Sequence, residues 1–312
     1  MIKSFKVTNY LGDSIKLILG EPEKSGFLIK SVEGLGPTKA NINTTEIATN
    51  DGSRFNSARM NTRNIVFEII FVETPIGETI EDIRQKSYKY FPLKKKIEIA
   101  VETDNRTAKV IGYVESNEPE IFSQQEGTQI SIICPDPYFY TEGNVTEFYS
   151  VEPIFEFPMD DTYSPIGYSN ESITEPLTIF SEIHHSAEGI TTYKGDAEIG
   201  VRIHIHALGP ASNVSIYNVK TRESMKIDST KLAAYVGSDI IAKDDIIINT
   251  MRGNKSITLV REGVSYNILN CLDKNVDWFT LIKGDNTFVF TAESGVTNLQ
   301  FRIENDVVYE GV

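Results

Sequence analysis

Large apolar and polar residues alternate from the start of the chain, and the alternation divides it into short strands. Phe5 and Val7, then Ile15, Leu17 and Leu19, alternate with polar positions on either side of Asn9-Tyr10-Leu11-Gly12-Asp13. This pattern predicts an opening hairpin. A further strand is expected at Phe27-Leu28-Ile29, and residues 65–72 form a near-continuous apolar run suited to the centre of a sheet. Ile80, Ile83, Tyr88 and Phe91 fall on a helical stripe, with Glu81 and Asp82 in the first turn and Pro92 behind it. One helix over 80–91 follows. Residues 97–101 and 108–114 flank the turn Thr103-Asp104-Asn105-Arg106 as a second hairpin, and 128–133 supplies another strand. Pro135 and Pro137 cannot donate to a ladder and end this half of the chain. The expected division is therefore 1–140 and 141–312.

The second half presents no persuasive helical window. Strand patterns recur at roughly ten-residue intervals, the spacing of a β-sandwich or jelly roll. They fall at 199–206, 214–218, 224–227, 246–249, 256–260, 264–268, 287–291 and 299–303, with Gly-, Asn- and Asp-containing turns between them.

Residues 33–64 break the rhythm, having few large apolar side chains and carrying Gly34, Gly36-Pro37, Asn50-Asp51-Gly52-Ser53, Arg54, Arg59 and Arg63. A structureless loop of that length is uncommon in a compact domain. The stretch 44–49 and the Asp51-Gly52 turn instead predict an extended hairpin arm. Such an arm buries little on its own body and is expected to lie against another subunit. The candidate interface residues are Gly34, Gly36, Pro37, Asp51, Gly52, Arg54, Arg59 and Arg63. No Asp or Glu occurs from Ser53 to Phe67, and acidic segments of a neighbour such as 115–126 could complement the arm.

Composition narrows the function classes. At 312 residues, 40% of them hydrophobic and 24% charged, the chain has enough apolar content for two cores. The net charge of −14 is uneven: residues 1–140 carry 17 Lys+Arg against 19 Asp+Glu, and 141–312 carry 13 against 25. No Lys or Arg occurs between Lys109 and Lys194, where fifteen acidic residues fall. A surface of that sign repels phosphate backbones and anionic lipid, so neither nucleic acid nor membrane is an expected partner. No signal peptide pattern or long apolar span is present, and assembly in a cytoplasm is expected. Cys134 and Cys271, 137 positions apart in apolar stretches, read as buried reduced thiols.

Chemistry-bearing constellations are sparse. His204 and His206, two apart on an expected strand, share a face and could ligate a metal if a third ligand crossed from a neighbour; ordinary sheet-surface histidines are the simpler reading. His184-His185 lie upstream. Asp160-Asp161 and Asp244-Asp245 lack the spacing of a calcium loop. The only tryptophan, Trp278, lies in an expected strand 277–281 and reads as core, with a sugar-stacking role as the alternative. Trp278, His204 and His206 are thus the candidate ligand face. No nucleophile elbow, Walker loop, zinc-protease or dinucleotide motif is present, so no catalytic residue, metal or cofactor is assigned and the chain is expected not to be an enzyme.

The order of these landmarks resembles the siphophage distal tail protein family over nearly the whole chain. In the first half the resemblance rests on the opening hairpin and on Val32-Glu33-Gly34-Leu35-Gly36-Pro37. Asp51-Gly52, Arg63-Asn64-Ile65, the 80–91 helix and Pro135-Asp136-Pro137-Tyr138-Phe139 continue it. In the second half it rests on residues 153–158, 213–218 and 246–250, on Asp277-Trp278-Phe279-Thr280-Leu281, and on 284–288 and 309–312. The resemblance implies a mainly β chain. Its first domain would be a ring-forming β-sandwich or barrel with one helix and an arm, and its second a galectin-like β-sandwich. It also implies a structural role at a phage or prophage tail tip: a ring, expected as a hexamer, joining the tail tube protein to the tail-tip hub and carrying receptor-binding proteins. A carbohydrate-binding adhesin recognising cell-wall sugar is the alternative.

Overall fold

The computed structural model describes residues 1–48, 51–143, 145–153, 181–185 and 188–312, with side chains 149–153 and 181–185 left aside. The motif at Asp160-Asp161 and most of the stretch 153–158 lie outside the described residues, as does Asn50 of the arm's turn. The chain divides into two compact units. Unit 1 comprises Met1–Glu142, Gly195–Ala197 and Asp306–Val312, and unit 2 comprises Gly143–Lys194 and Glu198–Asn305.

Unit 1 is built on one antiparallel sheet. Its strands are β1 (Ile2–Thr8), β2 (Ser14–Ile18), β3 (Phe27–Glu33), and the hairpin strands β4 (Ala40–Glu46) and β5 (Ser53–Met60). After these come β6 (Arg63–Phe71), β7 (Lys96–Thr103), β8 (Thr107–Glu120), β9 (Gly127–Cys134) and β10 (Phe139–Thr141). The sheet runs in the order β2-β1-β7-β8-β9-β6-β3, and β4 and β5 pair only with each other. Alternation dictates the buried face: Phe5 and Val7 of β1, Ile65 and Phe67 of β6 and Ile130 and Ile132 of β9 are at most 1% exposed. Phe5 meets Phe67 edge-on at 5.3 Å, a favourable aromatic geometry.

The helix α1 (Ile80–Tyr90) starts with a capping box in which the Thr79 and Asp82 side chains serve each other's backbone N–H. It buries Ile83 into the unit 1 core.

Unit 1 is completed by a late segment. Residues 307–309 form a short strand antiparallel to β10, pairing Phe139 with Tyr309 and Thr141 with Val307. The expected boundary at 140/141 therefore needs correction, because 195–197 and 306–312 belong with the first unit. The reason is β10 itself, an edge whose free backbone groups are satisfied by a strand from far along the sequence.

Unit 2 is a β-sandwich. Its strands are β11 (Val145–Glu147), β12 (Tyr149–Pro153), β13 (Ser181–His185), β14 (Glu188–Tyr193), β15 (Ile199–Gly200), β16 (Arg202–Ala207), β17 (Ser215–Asn218) and β18 (Glu223–Lys226). After the helix come β19 (Asp245–Asn249), β20 (Ser256–Arg261), β21 (Val264–Asn267), β22 (Thr280–Leu281), β23 (Gly284–Thr291) and β24 (Leu299–Glu304). One sheet runs β11-β24-β16-β19-β20-β21 and the other β14-β23-β17-β18. Their inner faces meet through aromatic rings: Phe290 of β23 stacks on Phe301 of β24 at 4.1 Å and meets Phe148 edge-on at 4.8 Å.

Contrary to the all-strand expectation, unit 2 also holds a helix, α2 (Ser229–Val236). Asp228 caps its N-terminus by accepting from the Thr230 and Lys231 amides, and Gly237 ends it at φ 96°. The segment that follows α2 is held by an ion pair that is nearly closed to solvent, since Arg261 also donates to Ser238 Oγ and the Asp239 carbonyl. Asp244 is 1% exposed and accepts from Arg261 Nε at 2.8 Å and Nη2 at 2.5 Å. Hydrogen bonding to Asp244 raises the Arg261 pKa. Among the described residues, no helix is long and apolar enough to cross a membrane.

Candidate assembly interface

The residues proposed from sequence for subunit contact separate into two groups with different environments. The first is the hairpin arm. All seven residues of β4 are exposed, as are all of β5 except the half-buried Met60. Cross-strand register gives the arm two chemically distinct faces. Ile42 opposes Ala58, Thr44 opposes Phe55 and Ala40 opposes Met60, so one face is largely apolar. Asn41 opposes Arg59, Asn43 opposes Ser57 and Thr45 opposes Arg54, so the other is polar and basic. A register shift between Asn43 and Thr44 keeps the two faces in phase along the hairpin. Ile42 and Phe55 are 61% and 62% exposed, a large apolar display for a two-stranded element. Asp51 and Gly52 form the exposed turn, with Gly52 at φ 92°.

Arg63 is different, and here the sequence expectation is corrected. It is 1% exposed and lies on the inward face of β6, with the same parity as Ile65 and Phe67. It therefore presents nothing to another subunit. Its guanidinium instead donates to four main-chain carbonyls: Gly34, Gly36 at 2.6 Å, Pro137 at 2.7 Å and Glu310 at 2.6 Å. The guanidinium carbon sits 4.4 Å from the centroid of the Phe139 ring, adding a cation–π contact. The planar five-donor fork of arginine suits four diverging acceptors in a way a lysine ammonium cannot match. Burial lowers the Arg63 pKa from its ordinary value. Cys134, its cross-strand partner on β9, is a free thiol whose pKa burial pushes up to about 11. Desolvation outweighs the opposing pull of the Arg63 charge, and Asp136 adds to the rise, so the protonated thiol is favoured.

Gly34 and Gly36 thus serve the Arg63 cluster through their carbonyls. Gly34 also has φ +83°, and a Cβ there would stand 2.0 Å from the Asn64 carbonyl oxygen, so only glycine fits. Gly36 and Pro37 remain on the exposed side of this loop, beside the incoming stretch where Val312 donates to the Leu35 carbonyl at 3.1 Å.

Charge on the unit 1 surface is paired in some places and unpaired in others. Lys30 pairs with Glu68, and Lys16 with Glu102 at 2.6 Å. Among the described residues no ion pair engages Arg54 or Arg59 on the arm. The same holds for Glu115, Glu118 and Glu120, all exposed on β8. Among the described residues the arm and β8 thus carry basic and acidic groups with no opposite charge within ion-pair distance.

The other sequence candidates fall in unit 2. Trp278 is neither in a strand nor in the core. It is half-buried in the segment before β22, with Lys255 Nζ 5.3 Å from its ring, and the buried neighbour is Phe279, at 0% exposure. His204 and His206 share the outward face of β16 as expected, but Trp278 does not join them in the recess they line. Among the described residues no three His, Cys, Asp or Glu side chains converge as a metal site.

This fold is similar to that of a phage hub protein of known structure. The chain is similar over 97% of its length to the SPP1 Dit (gp 19.1) protein, described as a paradigm of hub adsorption apparatus in Gram-positive infecting phages. The match covers 99% of that chain at a TM-score of 0.61 and 12% identity. A weaker likeness, at a TM-score of 0.48 and 13% identity, is to a chain of the phage p2 baseplate in its activated conformation with Sr; it covers 97% of both chains. No protein-family model matches the sequence, and no curated protein matches it. The resemblance to siphophage distal tail proteins read from the sequence is thus matched in the fold, through both units.

Proposed function

We propose that this chain is a structural, non-catalytic component of a phage or prophage tail tip. Several copies close into a ring, expected as a hexamer, that joins the tail tube to the tail-tip hub and carries receptor-binding proteins on unit 2. The observation that carries this reading is the β4–β5 arm: a hairpin with an apolar face that nothing among the described residues covers, in a protein whose fold is similar to that of a hub component. An isolated two-stranded hairpin is marginal in water, so an arm of this kind gains its stability from a partner. The unpaired Arg54 and Arg59 on the arm and the unpaired Glu115, Glu118 and Glu120 on β8 supply the two different patches of a head-to-tail contact. Assembly in the host cytoplasm and residence in the virion tail tip follow from the same reading.

The test is the size of the purified chain by light scattering, with negative-stain imaging. A closed ring of several copies with a central channel is expected. A single copy at every concentration would overturn the reading.

A further inference from the structure

A second exposed apolar display stands on unit 1, apart from the arm. Residues 121–126 join β8 to β9, and this loop carries Ile121, 45% exposed, and Phe122, which is fully exposed. A lone exposed apolar residue is ordinary, but an adjacent isoleucine and phenylalanine at a loop tip form a patch that a partner can cover. The loop is short and tied down. Glu120 pairs with Gly127 across its ends, the Ser123 hydroxyl donates to the Gln125 carbonyl at 2.5 Å, and the Phe71 amide donates to the Glu126 carbonyl at 2.9 Å.

Register sets where this tip lies relative to the arm. Arg63, the first residue of β6, pairs with Cys134, and Ile70 near its end pairs with Gly127. The arm leaves β6 at the Arg63 end, closed at its base by the Asn61 amide donating to the Lys39 carbonyl at 3.3 Å. The 121–126 loop meets β6 at the Phe71 end. The length of β6 separates the two attachment points by about 25 Å.

The two displays match in apolar character and oppose in charge. On the arm, Phe55 follows Arg54 directly, and on the tip, Ile121 and Phe122 follow Glu118 and Glu120 along β8. Lys30 also acts on Glu120 but is itself held by Glu68. Within one copy neither display covers the other, since Ile42, Phe55 and Phe122 all stay exposed. Placed at opposite ends of one strand, they can satisfy each other between copies, and the relation repeats head to tail. Contact between two arms would instead bring the arginines of both copies together, like charge against like.

We infer that Ile121 and Phe122 are an anchor for a second copy of this chain, seated on the apolar face of that copy's arm at Ile42 and Phe55, with the acidic stretch of β8 facing the arm's arginines. Buried aromatic and aliphatic anchors of this kind carry most of the energy of an interface, and flanking charges set its orientation. The inference rests on the reading of the chain as a self-assembling component and adds the surface that the arm meets.

The test compares three full-length chains by light scattering and sedimentation: the wild type, an arm variant (Ile42→Ser with Phe55→Ser) and a tip variant (Ile121→Ser with Phe122→Ser). All six positions of substitution and flanking charge are outside the core, and native folding is checked by circular dichroism. The wild type is expected to assemble, and the tip variant to associate roughly tenfold or more weakly. Mixed in equal amounts, the arm variant offers an intact tip and the tip variant an intact arm. A two-copy species that grows no further is therefore expected, because one sound contact forms and no ring can close. Assembly of the tip variant at wild-type concentrations, or a mixture without a two-copy species, would overturn the assignment while leaving assembly through the arm standing. A wild-type chain that stays single at every concentration would remove the assembly reading and this assignment with it.

Discussion

The guanidinium of Arg63 donates to the main-chain carbonyl of Glu310 at 2.6 Å, across 247 positions of sequence. The same group holds Gly34, Gly36 and Pro137, so one side chain fastens a loop after β3, the turn before β10 and the segment after the last strand of unit 1. Among the described residues its charge has no carboxylate partner at ion-pair distance, and the carbonyl dipoles with the Phe139 ring supply the compensation.

Arg63→Met should therefore destabilise unit 1 by about 3–5 kcal/mol, because truncation strands several buried carbonyls at once. Arg63→Lys should recover only part of this, since a single ammonium cannot reach four diverging acceptors. Amide hydrogen exchange in unit 1 during urea titration measures the loss. Fluorescence of Trp278, the chain's sole tryptophan, reads unit 2 and should move less.

Gly34→Ala should cost about 1–3 kcal/mol despite the exposure of the site, through a positive φ and overlap with the Asn64 carbonyl. Gly52→Ala, also at positive φ but with open space around it, should cost less. Comparing the two melting temperatures separates steric overlap from backbone strain.

On the arm, Ile42→Ser with Phe55→Ser should reduce the assembled mass in light scattering while leaving the stability of unit 1 within about 0.5 kcal/mol, as for other exposed positions. Reversing charge at Arg54 and Arg59 to Glu should do the same. A second chain carrying Glu115→Lys, Glu118→Lys and Glu120→Lys should restore association when mixed with it. Failure of the pair to rescue, with wild-type chains still associating, would move the interface elsewhere on the molecule.

Acid should weaken unit 1. The Lys30 ammonium holds Glu68 below the usual carboxylate range, Lys16 does so for Glu102, and the Thr79 hydroxyl does so for Asp82 at the start of α1. For a depressed carboxylate the stabilisation is fully present above the ordinary pKa and is lost as pH falls through the folded-state value. The melting temperature should be flat from about pH 5 to 7 and fall below about pH 4. Glu68→Gln and Glu102→Gln together should flatten that acid limb.

Much of this architecture is written locally. The strands follow from period-two alternation, and the single helix of unit 1 follows from its stripe and Pro92. Even the placement of Arg63 was legible, since it shares parity with Ile65 and Phe67; a positive charge drew attention to the surface when the alternation pointed inward. Its acceptors were not legible, because all four come from segments that only the folded sheet brings near. The helix α2 was missed although Asp228 and Gly237 stand at the cap positions, because eight residues with one buried side chain, Leu232, give no stripe to read. His204 and His206 were visible as a same-face pair. Gln300 and Arg302, which lie opposite them, were hidden by strand order, which pairs β16 with a strand about a hundred positions away.

The return of residues 307–309 to β10 has a consequence for biogenesis. Translation must pass through the whole of the sandwich before the ribosome delivers the strand that finishes the first unit. A polypeptide interrupted before residue 307 would keep an open β10 edge and an Arg63 lacking one acceptor.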